Sequence, residues 1–366
     1  MGVVTTNEAY AQIEEWVRTG LVETIATFPI GFTRQLKVSP HPGGSTIRRR
    51  VSKGVGAPTM QFITTPSPKV TFSPISNEIE TSATLDGCIF QNQAFVTWES
   101  KIQNHGPGKV FDQLETRVKD IGIGAVQSIE RMLLQQKGAL ATGYGGSANV
   151  EGLGDKLEMA VTPTGTTIQG IVNTGTVTDP AGGTLSYWHG MVQDAVNKAG
   201  WQSNWPAIFR AMTQEHEKRG GGTRIKRLNA CPADGLWAVM SQDSFESVIS
   251  SIDATKLMTV APDAGVINYR IGGRELEING VKVWWSPLIP TGAFGGVTGR
   301  VYFYNPAWIE LYALCGQGTR LFSVEVGDID ARTGQEQGSY GYLLGAMQSF
   351  IEQPGTLGGV INTELV

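Results

Sequence analysis

The chain has 366 residues, of which 47 are glycine and 17 are proline, so the backbone turns often without reaching the composition of collagen or of a disordered linker. Its 29 basic and 33 acidic residues give a net charge of −4, which argues against a specific nucleic-acid-binding protein with a strongly basic face. Charged residues make up only 17 % of the sequence, so we expect part of the surface to be buried against other subunits. The sequence has no signal-peptide pattern and no long apolar run, so we expect a soluble, non-secreted chain with no membrane partner.

The N-terminal part combines a short helix with a long basic segment. Residues 7–19 carry the cap, the first-turn acid and the glycine stop of a helix. From residue 24 to residue 77 there are seven basic residues and no acidic one. Alternating β-branched and polar residues between turn residues predict an extended hairpin with strands near 45–53 and 58–65. Because a two-stranded arm is marginally stable alone, we expect it to lie on another copy of the chain.

The strongest periodic signal is one apolar stripe over residues 109–137. Its members are three or four residues apart: Val110, Leu114, Val118, Ile121, Ala125, Ile129 and Met132. This spacing predicts a single long helix that ends at Gly138. Gly122 and Gly124 lie in its middle and predict a bend or a close contact there.

The remainder of the chain alternates helix and strand signals. Helices are predicted at 185–199, 205–219, 235–240 and 242–252, and strands at 225–231, 301–304, 321–326 and 343–351. Asn279-Gly280 between two alternating apolar runs predicts a hairpin with a two-residue turn. Residues 292–299 are predicted to form a flexible loop, Asn305-Pro306 to start a short helix, and residues 354–362 to be irregular.

No recognisable catalytic motif occurs in the sequence. The patterns G-x-S-x-G, H-E-x-x-H and G-x-x-x-x-G-K-[ST] are all missing. The pair Asp328 and Asp330 lacks the further ligands of a calcium loop, and His216 is interpreted as a surface residue near a helix C-terminus. We therefore predict that the chain is not an enzyme and binds no cofactor or metal.

The two ends of the chain carry opposite charge. Residues 325–366 contain six acidic residues and one basic residue, against seven basic and no acidic residues at 24–77. Complementary charge of this kind predicts that the basic arm of one subunit docks on the acidic segment of a neighbour. The candidate contact residues are Arg48, Arg49, Arg50 and Lys53 on the arm, and Asp328, Asp330 and Glu336 on the acidic segment.

The order of these elements resembles that of the major capsid proteins of tailed double-stranded DNA bacteriophages, whose fold is shared with encapsulins. The resemblance covers nearly the whole chain. Three local patterns support it: Glu151-Gly152-Leu153 after the long helix; Leu228-Asn229-Ala230-Cys231-Pro232 with Trp237; and the run from Asn279-Gly280-Val281-Lys282-Val283 through Ser286-Pro287 to Gly299-Arg300-Val301-Tyr302-Phe303.

This resemblance implies an α+β fold with an N-terminal arm, an extended β-hairpin loop, a long spine helix, and peripheral and axial domains. The implied boundaries are 1–31 for the arm, 32–77 for the loop, 78–184 for the peripheral domain with the spine helix at 109–137, 185–304 for the axial domain, and 305–366 for the return to the peripheral domain.

The same resemblance implies a structural protein of the virion that assembles in the host cytoplasm. Its copies would form hexamers and pentamers that close into an icosahedral shell around double-stranded DNA, with non-specific contacts to the packaged DNA. The resemblance implies a separate scaffolding protein or none, together with a portal and a decoration protein. Two alternatives stay open: an encapsulin-like nanocompartment shell, and an α+β enzyme with an unrecognised site.

Overall fold

The computed structural model describes residues 31–41, 46–52, 80–97, 107–134, 151–157, 167–172, 176–178, 184–186, 188, 190–218, 235–251, 275–278, 280–289, 293–294, 297–313, 322–329, 338–352 and 354–364. The predicted elements at 7–19, 58–65 and 225–231 lie outside these residues. The described helices are α1 (Phe32–Gln35), α2 (Pro107–Leu134), α3 (Leu153–Leu157), α4 (Lys198–Lys218) and α5 (Gln242–Ser251), with short 3-10 turns at Pro306–Trp308 and Pro354–Thr356.

Nineteen strands are described. They are β1 (Lys37–Pro40), β2 (Thr46–Ser52), β3 (Glu80–Asp86), β4 (Cys88–Thr97), β5 (Thr167–Ile168), β6 (Ile171–Val172), β7 (Thr176–Thr178), β8 (Thr184–Ser186), β9 (Met191–Asp194), β10 (Trp237–Met240), β11 (Glu275–Ile278), β12 (Val281–Trp285), β13 (Ala293–Phe294), β14 (Val297–Thr298), β15 (Arg300–Tyr304), β16 (Ile309–Ala313), β17 (Phe322–Ile329), β18 (Gly338–Ile351) and β19 (Gly358–Ile361).

The first sheet is built around the long strand β18. On one side β18 pairs antiparallel with β4, and on the other side it pairs with β17 and then with β16. Strand β1 pairs parallel with β16. The strands predicted at 321–326 and 343–351 are therefore confirmed. Each is longer than predicted, because the pairing of β17 and β18 continues beyond the residues with the apolar pattern.

The predicted spine helix is present as α2 and packs against β4 and β18. The stripe residues Ala125 and Ile129 are buried in a core that also contains residues of both large sheets. Of the predicted bend or close contact at Gly122 and Gly124, the described residues show no close contact at Gly124, because a β-carbon placed there would meet none of their atoms within 4 Å. None of the described helices combines the length and the hydropathy that crossing a bilayer requires.

The base of the basic arm is a two-stranded ladder. Strand β2 confirms the strand predicted at 45–53, but its described partner is β3, with Thr46 opposite Asp86 and Ser52 opposite Glu80. The buried residues Ile47, Ala83 and Leu85 of this ladder share a small core with residues of the first sheet. The chain between Ser52 and Glu80 therefore leaves and returns at one end of the ladder.

The second sheet has six strands in the order β11-β12-β10-β15-β19-β9. The hairpin predicted around Asn279-Gly280 is confirmed: Ile278 pairs with Val281, and Gly280 has φ +79°. The helix predicted at 235–240 is wrong, because β10 occupies this segment and all four of its residues are buried. A short, fully apolar run is compatible both with a turn of buried helix and with a central strand. Here the run forms a strand because it pairs with β12 on one side and with β15 on the other.

The helix predicted at 185–199 is also wrong, because this segment holds β8 and β9. Helix α4 begins at Lys198 rather than at the predicted residue 205, and the Asn197 side chain accepts the N–H of Gly200 at 2.7 Å. Pro206 consequently lies inside the helix. The buried face of α4 against the second sheet outweighs this break in its hydrogen bonding.

The tail predicted as irregular contains β19, which lies between β15 and β9. Its Gly358-Gly359 pair has low strand propensity, so the sequence pattern did not predict this strand. A β-carbon at Gly358 would lie 2.8 Å from Met212 Sδ and 3.1 Å from Phe303 Cβ, so the strand passes where a side chain would not fit. The segment predicted as a loop at 292–299 likewise holds the paired strands β13 and β14. The short helix predicted after Asn305 is confirmed.

Candidate assembly surfaces

The three arginines of the basic arm lie on β2 and point to two different sides. Arg48 and Arg50 are exposed, whereas Arg49 is half-buried on the same side as the buried Ile47. Of the predicted acidic contacts, Asp328 lies on β17. Lys53, Asp330 and Glu336 lie outside the described residues. The structure thus separates Arg49 from its two neighbours, which no charge count in the sequence could do.

Arg49 forms its ion pairs within one chain. Its Nη2 lies 3.0 Å from Glu310 Oε2 and its Nη1 lies 3.4 Å from Glu352 Oε1. The guanidinium also lies over the ring of Tyr312, at 5.2 Å from the centroid. One of the six acidic residues counted at 325–366 therefore neutralises one of the seven basic residues at 24–77 inside the same subunit.

Glu310 is the centre of this cluster. It accepts the Tyr312 hydroxyl, and Lys37 Nζ lies 3.3 Å from its Oε1. Burial by itself would raise the pKa of Glu310, but the Tyr312 hydrogen bond and the charges of Arg49 and Lys37 hold that pKa below its ordinary value of 4.5. Burial and the neighbouring carboxylate raise the pKa of Tyr312 in turn. The Glu310 carboxylate therefore stays ionised at neutral pH, and the cluster fixes the base of the arm to the first sheet.

A second acid, Glu130, is buried on α2 and binds the chain directly after the N-terminal arm at 1–31. The Phe32 N–H at the start of α1 donates to Glu130 Oε1 on α2, at 2.6 Å. The cap residue Gly31 makes no side-chain cap of its own, and a β-carbon there would lie 3.0 Å from Glu130 Oε2. Sequence analysis missed Glu130 because it lies beside the apolar stripe, next to Ile129, and not in it. The spacing of the stripe does not show that the buried face of the helix also includes position 130.

The Glu151-Gly152-Leu153 pattern lies at the start of α3 and is tied to β18. The Glu151 N–H donates to Gln348 Oε1 at 2.9 Å, and Asp155 Oδ2 accepts the Gly152 N–H at 2.9 Å. Lys156, which is 1 % exposed, donates through Nζ to the Glu151 carbonyl at 2.7 Å and to Ser349 Oγ at 2.8 Å. Burial lowers the pKa of Lys156, while the nearby Glu151 and Asp155 oppose that shift. These contacts position the loop, since its two backbone N–H groups have side-chain acceptors and the Lys156 ammonium is held by a carbonyl and a hydroxyl.

His216 is buried and hydrogen-bonded to the main chain. The interpretation of His216 as a surface residue is wrong: it is 8 % exposed, and its Nδ1 donates to the Thr356 carbonyl at 3.1 Å. Burial lowers the pKa of His216, so the ring is neutral near pH 7. Across the described ranges there is no group of three or more His, Cys, Asp or Glu side chains arranged to hold a metal ion.

One face of the first sheet exposes apolar side chains on adjacent strands. Ile89 on β4 is 74 % exposed and Leu344 on β18 is 39 % exposed. Ile89 is paired with Ala346 and Leu344 with Gln91, so the two side chains lie diagonally across the β4–β18 pair. Gln91 and Gln93 are exposed on the same face of β4. Sequence analysis did not single out this face.

Comparison with known proteins gives a match at the level of the fold. No protein-family model matches the sequence, and no curated protein matches it. The capsid asymmetric unit of cyanophage A-1(L) is similar over 93 % of this chain and 95 % of its own, with a TM-score of 0.60 and 13 % identity. The mature capsid of bacteriophage PhiM1 is similar over 92 % of this chain and 88 % of its own, with a TM-score of 0.55 and 13 % identity. The capsid of a native GTA particle is similar over 92 % of this chain and 90 % of its own, with a TM-score of 0.52 and 8 % identity. The chain therefore has the α+β fold of tailed-phage major capsid proteins.

Proposed function

We propose that the chain is the shell-forming subunit of a tailed-phage capsid. Its copies form hexamers and pentamers that close into an icosahedral shell around double-stranded DNA, and it performs no catalysis. The observation that carries this proposal is the likeness to a phage capsid subunit over 93 % of the chain at a TM-score of 0.60. A charged fraction of only 17 % supports it, because a subunit with several buried interfaces needs few charges on its surface.

Two parts of the subunit take the two roles of the fold. The first sheet with α2 corresponds to the peripheral domain, and the six-stranded sheet with α4 and α5 corresponds to the axial domain. Supporting this division, α4 and α5 share a separate apolar core with the second sheet, whereas α2 packs against β4 and β18. The N-terminal arm at 1–31 and the loop at 32–77 extend from the peripheral part.

The contact between subunits uses the outward face of β2. Arg48 and Arg50 are exposed there, and with Lys53 they dock on Asp328, Asp330 and Glu336 of a neighbour. Arg49 keeps its pairs with Glu310 and Glu352 and holds the base of the arm in place for that contact. Opposite charges on the two surfaces steer the encounter and set its register.

The further partners follow from the same proposal. A separate scaffolding protein and a portal take part in assembly in the host cytoplasm, and a decoration protein binds the finished virion. The packaged DNA is contacted through its phosphates without sequence preference.

Electron microscopy of the purified protein, combined with size-exclusion chromatography and light scattering, tests the proposal. We expect closed shells or rings of five and six subunits, and nuclease-protected DNA in shells isolated from infected cells. Shells that hold a cargo protein in place of DNA would favour the encapsulin-like alternative. A monomer or dimer that persists at high concentration would contradict the proposal and favour an enzyme.

A further inference from the structure

Val196, in the turn between β9 and α4, has a backbone conformation that is costly for its residue type. Its φ is +68°, and the Asn197 N–H donates to the Ala195 carbonyl at 2.7 Å, which closes a three-residue turn with a positive φ at its centre. Among the described residues, Gln169 and Asn362 are the other non-glycine residues with positive φ, and neither is β-branched. A branched β-carbon crowds the backbone in this region, and that crowding costs more than the extra chain entropy that a glycine would lose on folding.

Hydrogen bonds on both sides of Val196 hold the turn in this conformation. Asp194 Oδ1 accepts the Val196 N–H at 2.7 Å and also accepts Asn362 Nδ2 at 2.9 Å. The Ala195 N–H donates to the Ile361 carbonyl at 3.0 Å. Because these partners belong to β9, to β19 and to the residue after β19, the second sheet sets the turn and its strain cannot relax locally.

The Val196 side chain returns little of this cost within its own subunit. It is 65 % exposed, so folding removes little of its apolar surface from water. A strained residue persists where another requirement selects it, and an exposed valine offers only its apolar surface. Contact with another molecule is the use that remains for this side chain.

The surroundings of Val196 select a protein as the other molecule. Asp194 and Lys198 are exposed on either side of it and carry opposite charges, so the turn has no excess of positive charge for phosphates. One valine is also too small an apolar surface for membrane binding. With the half-buried Asn197 and Asn362 beside it, Val196 is an apolar centre with a polar rim, which is the anatomy of a protein–protein contact. In a shell built from one chain, that protein is another copy.

We propose that Val196 is an anchor that packs into an apolar site on a neighbouring copy, and that the strained turn serves to present it. This inference rests on the proposed function, because it requires assembled copies. It goes further by naming an apolar contact residue beside the second sheet and by assigning to it a cost in subunit stability. The contact is heterologous, since a ring of five or six copies closes only when each copy gives one surface and receives with another.

Two variants separate the cost of the turn from the use of the side chain. Val196→Gly removes both the crowding and the side chain, so we expect the melting temperature of the unassembled subunit to rise by about 2–4 °C. In the same variant, the protein concentration at which half of the chains are assembled should rise roughly tenfold. Val196→Thr keeps the branched shape and replaces a methyl group by a hydroxyl, so its melting temperature should be unchanged while its assembly is weakened. Thermal unfolding and light scattering measure the two quantities.

A photo-reactive benzophenone amino acid at position 196 identifies the molecule that covers this side chain. After irradiation, particles should contain a cross-linked product with the mass of two chains, and unassembled subunits should contain none. Irradiated particles without such a product, or with a product that contains a different protein, would overturn the inference.

A matched control makes the assembly measurement decisive. Ala207→Ser introduces a hydroxyl at an exposed position of α4 and should unfold and assemble like the unmodified chain. Val196→Gly chains that assemble at the same concentration as the unmodified chain would overturn the inference and leave the proposed function intact. The same holds for a lower melting temperature of Val196→Gly, or for equal weakening of assembly by Ala207→Ser and Val196→Thr. Failure of the unmodified chain to form particles would overturn the proposed function itself.

Discussion

The Glu130 carboxyl gives the subunit a pH-dependent stability. Burial raises its pKa from 4.5 to about 7, and the Phe32 N–H offsets part of this rise. Because the folded-state pKa lies above the unfolded value, the contribution of Glu130 to the free energy of unfolding is fully present below pH 4.5 and is lost as the pH rises through about 7. A shift of this size corresponds to about 3 kcal/mol. We expect Glu130→Gln to remove most of this fall, since its amide oxygen can still accept the Phe32 N–H.

Urea unfolding of the unassembled subunit at pH 5 and pH 8 measures this effect. The exposed Glu246 on α5 provides the control, and Glu246→Gln should leave the pH dependence as it is in the unmodified chain. An equal pH dependence in Glu130→Gln and in the unmodified chain would show that the pKa of Glu130 is not raised in the folded subunit.

Arg49 and Arg48 differ in their expected contribution to stability, although they are adjacent. Arg49→Ala removes two ion pairs and a ring contact, and because the Arg49 side chain is 36 % exposed we expect a loss of only about 1–2 kcal/mol. Arg49→Lys should recover part of it, since lysine keeps the charge but not the forked geometry. Arg48→Ala should stay within about 0.5 kcal/mol of the unmodified chain. Thermal unfolding compares the three, and equal losses for Arg48→Ala and Arg49→Ala would contradict the cluster.

The roles of individual residues were the least predictable from sequence. A run of three arginines indicates a basic segment, but only the pairing of β2 decides that Arg49 faces the sheet while Arg48 and Arg50 face solvent. Burial of Glu130 and Lys156 depends on elements far along the chain, with the Phe32 contact spanning 98 residues and the Ser349 contact spanning 193. Local patterns carry no information about such partners.

For the elements, the spine helix offers a direct test of its central glycine. Gly124 lies inside α2, and a β-carbon placed there would meet no atom of the described residues within 4 Å, so Gly124→Ala should raise the free energy of unfolding by about 0.5–1 kcal/mol. Gly190→Ala is the contrasting variant, because its β-carbon would lie 2.5 Å from the Leu357 carbonyl oxygen and should destabilise the subunit. Denaturant unfolding of both decides the matter. Shell formation by Gly124→Ala should be normal unless a neighbour packs at this position, so a stable variant that fails to assemble would locate an interface there.

Elements with a long or repeated signal were predictable, and those set by pairing partners were not. The 28-residue helix α2 and the Gly280 hairpin follow from periodicity and turn chemistry alone. Strand β10 was predicted as a helix because its four apolar residues show no periodicity. Strand β19 was predicted as irregular because glycine usually indicates a turn, whereas Gly358 is needed here because Phe303 and Met212 leave no space for a side chain. In both cases the neighbouring strands, which come from distant parts of the chain, determine the conformation.

At the scale of the whole molecule, charge on the outward face of β2 should control assembly without affecting folding. We expect Arg48→Glu with Arg50→Glu to impair shell formation, because like charges would then face the acidic segment of the neighbour. Lys198→Glu with Arg210→Glu makes the same change in net charge on exposed positions of α4 and should assemble normally. Light scattering over a range of salt concentrations measures the difference, which should shrink as the Debye length falls below about 10 Å. Normal shells from the β2 variant at low salt would refute the arm-docking proposal.

The positions of β18 and β19 have a consequence for the order of events during synthesis. Strand β18 joins β4 to β16 and β17 in the first sheet, and β19 joins β15 to β9 in the second. Each of these strands leaves the ribosome after all of its described partners, at a rate of about 5–20 residues per second. Neither sheet can close before residues 338–361 have been made. A chain still under translation therefore has neither sheet complete, and under the proposed function this would keep incomplete chains out of a growing shell.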